Sequence, residues 1–82
     1  MKILFLIALS ISLLFGAVDI NNASKNELMT LKGIGSKKAD AIIKYRDTKC
    51  FQKIDDLEKI KGIGPKFIQS NKKNIIINKC KR

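Results

Sequence analysis

A ten-residue cassette occurs twice in this chain. Residues 28–37 read LMTLKGIGSK, and 29 residues later residues 57–66 read LEKIKGIGPK, so both copies carry Lys-Gly-Ile-Gly between two helical patterns. Glycines two residues apart allow a tight turn without a Cβ clash, and the segment after each turn begins a helix whose first amides lack internal partners. Such a helix start attracts anions, phosphate above all. The repeat therefore predicts two short helical hairpins, each with an anion-attracting turn.

Lysines flank both turns and place positive charge where the amides point. We predict contact residues in the first copy at Lys32, Gly33, Ile34, Gly35, Ser36, Lys37 and Lys38, and in the second at Lys61, Gly62, Ile63, Gly64 and Lys66. The two isoleucines are expected to be buried side chains that shape each turn. Pro65 suits the first turn of a helix but has no amide to offer. The two copies together predict a two-point clamp on a nucleic-acid backbone.

Length and charge restrict the function further. With 82 residues the chain has room for one small domain with a thin core and no large active-site cavity. Seventeen Lys and Arg against seven Asp and Glu give a net charge of +10, which favours a polyanionic partner. Asp40, Asp47 and Asp55 form no recognisable catalytic spacing, so we expect a binding protein and not an enzyme.

The N-terminus has the layout of a secretory signal peptide. Met1-Lys2 precedes an apolar run from Ile3 to Phe15 and the small residues Gly16 and Ala17. This run is shorter than the roughly 20 residues of a membrane-spanning helix, so we predict cleavage near Gly16 or Ala17. The interpretation divides the chain into a signal peptide, residues 1–17, and an exported domain, residues 18–82. The alternative is a retained anchor, because the exit is not a clean small-x-small pattern.

Two cysteines, Cys50 and Cys80, both lie in the exported part. An oxidising compartment would permit a disulfide between them, which would tie the link between the repeats to the C-terminal tail. The alternative is two unrelated thiols. Two cysteines without histidine make a zinc site improbable, since structural zinc takes four ligands, and we expect no metal site of this kind.

The patterning predicts four short helices. A capping box at Ser24 and Glu27 begins the first, and the second runs from Ser36 to about Arg46. A further capping box from Asp55 to Glu58 begins the third, which ends near Ile60. The fourth starts at Pro65 and ends among residues 71–74, after which the apolar residues 75–77 pack back on the helices. We therefore expect an all-α fold with a pseudo-two-fold relation between its halves.

These motifs resemble a known family. Val18-Asp19-Ile20-Asn21, the two Gly-Ile-Gly turns, Tyr45-Arg46, Phe51 and Asp56-Leu57 follow the order of the tandem helix-hairpin-helix domain in ComEA-type competence DNA-binding proteins, over about Val18 to Ile77. The resemblance implies sequence-independent binding of double-stranded DNA in the periplasm, as part of DNA uptake in natural transformation. It implies hairpin amides on phosphates of both strands across a minor groove, with DNA and the uptake machinery as partners. A retained anchor would instead hold the domain outside the inner membrane.

The resemblance also sets finer expectations. It implies no cofactor other than a monovalent cation that hairpin carbonyls hold in many members. Where the last helix usually carries an aliphatic residue this chain has Asn71, which predicts a short fourth helix and a less rigid second phosphate site. If about four to six phosphates are neutralised, log affinity should fall with log salt at a slope of roughly −4 to −5.

Two other functions are compatible with the same residues. In one, the hairpins only join helices and the basic face binds an acidic protein partner. In the other, the DNA-binding mechanism is kept but serves attachment to extracellular DNA. Affinity for DNA separates the first of these from the clamp.

Overall fold

The computed structural model describes residues 17–80. The predicted signal peptide, residues 1–17, lies outside this range except for Ala17. The described elements are, in chain order, strand β1 (Val18–Asp19), helix α1 (Lys25–Leu28), helix α2 (Ser36–Thr48), a first 3-10 helix (Ile54–Lys59), helix α3 (Pro65–Asn71), a second 3-10 helix (Lys72–Asn74) and strand β2 (Ile75–Ile76). Four of these helices form two helical hairpins, as the repeat predicts.

The first hairpin begins with the capping box that the sequence predicts. The Glu27 amide donates to Ser24 Oγ at 3.2 Å, and the Ser24 amide donates to Glu27 Oε1 at 2.9 Å. These two bonds satisfy donors that the start of the short helix α1 would otherwise leave unpaired. Helix α2 is longer than predicted and ends at Thr48, two residues after Arg46.

The second hairpin begins differently from the prediction. Its first helix is a 3-10 helix, and Asp55 does not cap it. Instead Asp56 Oδ2 accepts from the amides of Gln52 and Lys53 at 3.0 and 3.4 Å. The observed box thus runs from Lys53 to Asp56, two residues earlier than the predicted box from Asp55 to Glu58. Helix α3 is short, as predicted, and the chain after Asn71 tightens into a 3-10 turn.

The expectation of an all-α fold is wrong in one detail. Strands β1 and β2 pair in parallel, with Val18 opposite Ile75 and Asp19 opposite Ile76. The Ile20 amide extends the pairing by donating to the Ile76 carbonyl at 3.1 Å. The tail therefore pairs with the start of the domain through backbone hydrogen bonds, as well as packing on the helices. Two-residue strands are too short to give a period-two pattern that sequence reasoning could detect.

One core joins the two halves. Residues of both hairpins and both strands contribute to it: Val18, Ile20, Ala23, Leu28, Leu31, Ile34, Ala39, Ile42, Phe51, Leu57, Ile60, Ile63, Ile68 and Ile75. Phe51 follows helix α2 in the link between the repeats and stacks on Tyr45 with ring centroids 4.7 Å apart. Because the core is shared, each hairpin is held in place by the other half of the molecule.

Candidate nucleic-acid interface

The first glycine of each turn is required by the backbone. Gly33 and Gly62 have φ values of +90° and +92°, and no other described residue has a positive φ. This conformation is unfavourable for residues with a Cβ, so these two positions call for glycine. The turns at the two copies are therefore equivalent in backbone shape.

The second glycine of each turn has no such requirement. Gly35 and Gly64 are extended, with φ values of −96° and −123°, and each is the N-cap of the helix that follows. A Cβ built on either glycine would meet no protein atom within 4 Å. The sequence-based explanation, a clash avoided within the turn, is thus wrong for these two. Their lack of a side chain leaves space open above the turn.

The amides at the two helix starts are not equivalent. In helix α2 the first intrahelical bond runs from the Ala39 amide to the Gly35 carbonyl at 3.0 Å, which leaves three preceding amides, those of residues 36–38, without a helical partner. In helix α3 the first bond already reaches the Gly64 carbonyl from the Phe67 amide at 3.1 Å, and Pro65 has no N–H. The first turn therefore presents more donors than the second.

Apart from the four glycines and the half-buried Lys38, the structure divides the predicted contact residues into two groups. The side chains that lie on the surface beside the turns are those of Lys32, Ser36, Lys37, Lys61 and Lys66. Ile34 and Ile63 instead belong to the core, with 5% and 4% of their surface exposed, and they shape the turns as expected. The exposed lysines and the open glycines lie on the same segments, so charge and backbone access coincide at each turn.

Lys38 and Phe67 are reciprocal partners of the two turns. They occupy equivalent positions, 29 residues apart, in helices α2 and α3. A Cβ built on Gly62 would lie 3.1 Å from Lys38 Cε, and one built on Gly33 would lie 3.9 Å from Phe67 Cδ2. Lys38 Nζ also lies 3.5 Å from the Gly33 carbonyl oxygen, so its ammonium is placed between the two turns. Sequence reasoning missed Phe67, although alignment of the copies with Lys38 could have indicated it.

Asn71 makes a contact that the sequence does not indicate. It is 1% exposed, and its side-chain amide bonds with both backbone groups of Lys32, the residue before Gly33. The polar residue in the last helix therefore contacts the first turn, and the less rigid second phosphate site that we expected stays a prediction. Its signal in the sequence was only the departure from an aliphatic pattern.

The tail is fastened by side-chain amides and by a disulfide. Cys50 and Cys80 are bonded, with their Cα atoms 6.1 Å apart. Asn21 Oδ1 accepts from the Phe51 amide at 2.8 Å, and Asn21 Nδ2 donates to the carbonyls of Phe51 and Asn78 at 2.8 and 2.6 Å. These bonds thus join three segments at one place: the start of the domain, the inter-repeat link and the tail.

Two acidic side chains, Asp19 and Asp56, accept hydrogen bonds that hold the fold together. Burial disfavours the ionised form of Asp19, but hydrogen bonds from Asn22, Asn78 and Asn21 outweigh it and lower the pKa of this carboxyl below 3.8. The Gln52 amide lowers the pKa of the Asp56 carboxyl, with smaller contributions from Lys53 and Lys59.

Within residues 17–80, no group of three or more His, Cys, Asp or Glu side chains is arranged to hold a metal ion. In the same range no helix is long and apolar enough to cross a membrane.

Comparison with known proteins gives consistent matches. The family described as "Helix-hairpin-helix motif" matches residues 15–76. ComE operon protein 1 of Bacillus subtilis is 43% identical over 61 residues, which cover 73% of this chain and 30% of that protein. An uncharacterized protein of Haemophilus influenzae is 38% identical over 61 residues, covering 72% and 54% respectively. Endonuclease/exonuclease/phosphatase family domain-containing protein 1 of Danio rerio is 36% identical over 64 residues, which cover 74% of this chain and 11% of that protein. This chain therefore spans about half or less of the length of these relatives.

Proposed function

Because this chain belongs to the helix-hairpin-helix family, we propose that it binds double-stranded DNA through the backbone phosphates and independently of sequence. The observation that carries the proposal is the pair of open glycines, Gly35 and Gly64, each beside exposed lysines. Neither glycine is required by its φ or by the packing around it, so the free space is best explained by a ligand that approaches the backbone. Phosphate is the ligand that fits amide donors and lysines together.

Each of the two turns binds a phosphate, and both turns belong to one rigid unit. At the first, the amides of Ser36 and Lys37 point to the ligand and Lys37 adds Coulombic attraction. At the second, Lys66 supplies both an amide and a charge, while Pro65 supplies neither. Contacts to phosphate fix the position of the protein but do not read bases. We therefore expect similar affinity for unrelated duplexes and a stronger contribution from the first turn.

The proposed binding needs no catalytic step and no cofactor. The relatives named for an endonuclease/exonuclease/phosphatase domain are matched over only 11% of their length, so their names carry no activity to this chain. One hairpin carbonyl, that of Gly33, already faces the Lys38 ammonium at 3.5 Å. A monovalent cation at the other hairpin carbonyls stays a prediction. It is tested by comparing DNA affinity in potassium and in tetramethylammonium salts at equal ionic strength.

The proposed setting is DNA uptake. The similarity to ComE operon protein 1 and the signal-peptide pattern of residues 1–17 support an exported competence protein in the periplasm. Many copies bound to incoming DNA would oppose its backward diffusion and hand it to the uptake machinery. Accumulation of periplasmic DNA in a gene-deletion strain tests this role, and wild-type accumulation would remove it while leaving DNA binding untouched.

The decisive experiment measures binding of the oxidised 82-residue chain to unrelated 30-base-pair duplexes across a salt series. An uncharged detergent keeps the apolar N-terminal run in solution. We expect affinities that do not depend on sequence and a log–log salt slope of roughly −4 to −5. Gly35→Val combined with Gly64→Val should weaken binding by about tenfold or more, because the added side chains occupy the phosphate positions.

The control is Thr48→Val, which introduces the same side chain at an exposed position at the far end of helix α2. This variant should bind as the wild type does. A folded double glycine variant with wild-type affinity would refute the assignment of the turns as the site. Absence of wild-type binding at low salt would favour the module that binds an acidic protein.

A further inference from the structure

We propose that Asn71 is a positioning residue that sets the DNA contacts of the first turn from the last helix. The inference rests on the proposed function, and it concerns a residue that lies in the other repeat from the turn it would control. Asn71 is the final residue of helix α3, and its side chain is almost completely buried. It touches no proposed phosphate position itself.

The hydrogen bonds of Asn71 define both sides of one backbone residue. Its Oδ1 accepts from the Lys32 amide at 2.9 Å, and its Nδ2 donates to the Lys32 carbonyl at 2.9 Å. Nδ2 also donates to the Phe67 carbonyl at 3.1 Å, inside helix α3. A primary amide that bonds the N–H and C=O of one residue fixes the peptides on both sides of it. The peptide that enters Gly33 is one of these two.

The equivalent residue in the other repeat cannot do this. Ile42 occupies the same position 29 residues earlier, is fully buried and has no polar atom in its side chain. The base of the second turn therefore has no corresponding side-chain bond from helix α2. The first turn is thus braced from the opposite repeat by Asn71, in addition to the Phe67 ring that lies over Gly33. The turn that Asn71 braces, the first, is also the turn that presents more free amide donors.

A neighbouring groove allows the effect of Asn71 on DNA binding to be separated from an effect on folding. It has a volume of about 510 Å³, and its lining includes Leu31, Lys32, Ser70 and Asn71. If the Asn71 amide is removed, water from this groove can reach the Lys32 peptide and satisfy its N–H and C=O. The variant should therefore fold, while the peptide before Gly33 loses its fixed orientation.

The test is a double-mutant cycle on the full 82-residue chain. Asn71→Leu keeps the branched outline of the side chain and removes its hydrogen bonds, and Ser70→Ala, in the same groove, is the matched control. Loss of the bonds should lower affinity for a 30-base-pair duplex about 3- to 10-fold, whereas Ser70→Ala should leave it unchanged. Combined with Gly35→Val the loss should disappear, because the first turn is already disabled. Combined with Gly64→Val it should persist in full.

Equal loss on both glycine backgrounds would show general destabilisation and overturn the proposal. No loss on any background, with a wild type that binds DNA, would also overturn it. If Asn71→Leu does not fold, Asn71→Ala takes its place in the same cycle.

A readout without DNA separates this inference from the proposed function. The Lys32 amide should exchange its hydrogen faster in Asn71→Leu, and amide resonances of residues 32–37 should shift more than those of residues 61–66. If the wild type fails to bind DNA, the proposed function fails and the claim about DNA contacts fails with it. Unchanged exchange at Lys32 and unchanged resonances at the first turn would overturn the positioning role, whatever the wild type binds.

Discussion

Two glycines in each turn serve different purposes, and substitution can separate them. Gly33 and Gly62 adopt a positive φ, whereas Gly35 and Gly64 are extended beneath open space. The sequence does not distinguish the four glycines, because a Gly-x-Gly pattern does not show which glycine has the unusual φ. The division is visible only in the backbone.

Alanine at Gly33 or Gly62 should destabilise the protein. A residue with a Cβ in the left-handed region costs about 1–2 kcal/mol, so urea unfolding of either variant should show a decrease of that size in the free energy of unfolding. The Gly62 variant should lose more, because Lys38 Cε must also move away from the new Cβ. Gly35→Ala is the control and should unfold as the wild type does within about 0.5 kcal/mol.

Lys38 should contribute charge to DNA binding from between the turns. Lys38→Met keeps an unbranched side chain over Gly62 and removes the ammonium. If that ammonium neutralises a phosphate, the salt slope of DNA binding should become shallower by about one unit. Lys49→Met makes the same charge change beyond the far end of helix α2, about 20 Å from its start. The two variants should differ in slope, and identical slopes would exclude a phosphate contact of Lys38.

At the level of elements, strand β1 and the tail depend on one carboxylate. Asp19 accepts from the Asn21 amide at 3.1 Å, from Asn22 Nδ2 at 2.6 Å, and from the backbone and side chain of Asn78 at 3.2 Å each. All four are hydrogen bonds to the ionised form, which is why they lower the pKa of the carboxyl despite its burial.

This arrangement predicts a loss of stability in acid. A carboxyl whose pKa is lower in the folded state contributes its full stabilisation above its unfolded pKa, and this is lost as pH falls through the folded value. For Asp19 the loss should begin near pH 3.8 and continue below it. Urea unfolding at pH 6 should show Asp19→Asn to be less stable than the wild type, and at pH 2 the difference should be smaller. A difference that does not depend on pH would contradict the role of the ionised carboxylate.

The elements differ in how well the sequence predicts them. The box at Ser24 and Glu27 is local, so the pattern alone located the start of helix α1 correctly. The 3-10 helix at Ile54–Lys59 carries carboxylates at Asp55, Asp56 and Glu58, so the pattern allows more than one register of the capping box, and the structure uses the register that ends at Asp56. Strand pairing between residues 57 positions apart depends on the folded arrangement of everything between them.

For the molecule as a whole, the disulfide should be a major source of stability. It joins residues 30 positions apart, and a closed loop of this length lowers the entropy of the unfolded chain by an amount worth about 3 to 4 kcal/mol. Cys50→Ser combined with Cys80→Ser should lower the free energy of unfolding by about that amount. A reducing agent should destabilise the wild type to the same extent and leave the double variant unchanged. Equal stability of wild type and variant in oxidising buffer would show that the bond does not form in solution.

The overall plan was predictable from the repeat, whereas the connections between its halves were not. The repeat located two turns, their exposed lysines and their buried isoleucines, because each of these follows from spacing within one copy. Lys38 and Asn71 each contact the turn of the other repeat. These contacts depend on how the two halves pack, and the pattern within one copy carries no information about that packing.

The pairing of β1 with β2 has a consequence for how the domain is made. Strand β1 is synthesised first, but its partner strand, Ile75–Ile76, follows 57 residues later. Until that tail has been made, the start of the domain has no strand to pair with. The contacts that hold the tail to β1 are therefore the last of the fold that can form during synthesis.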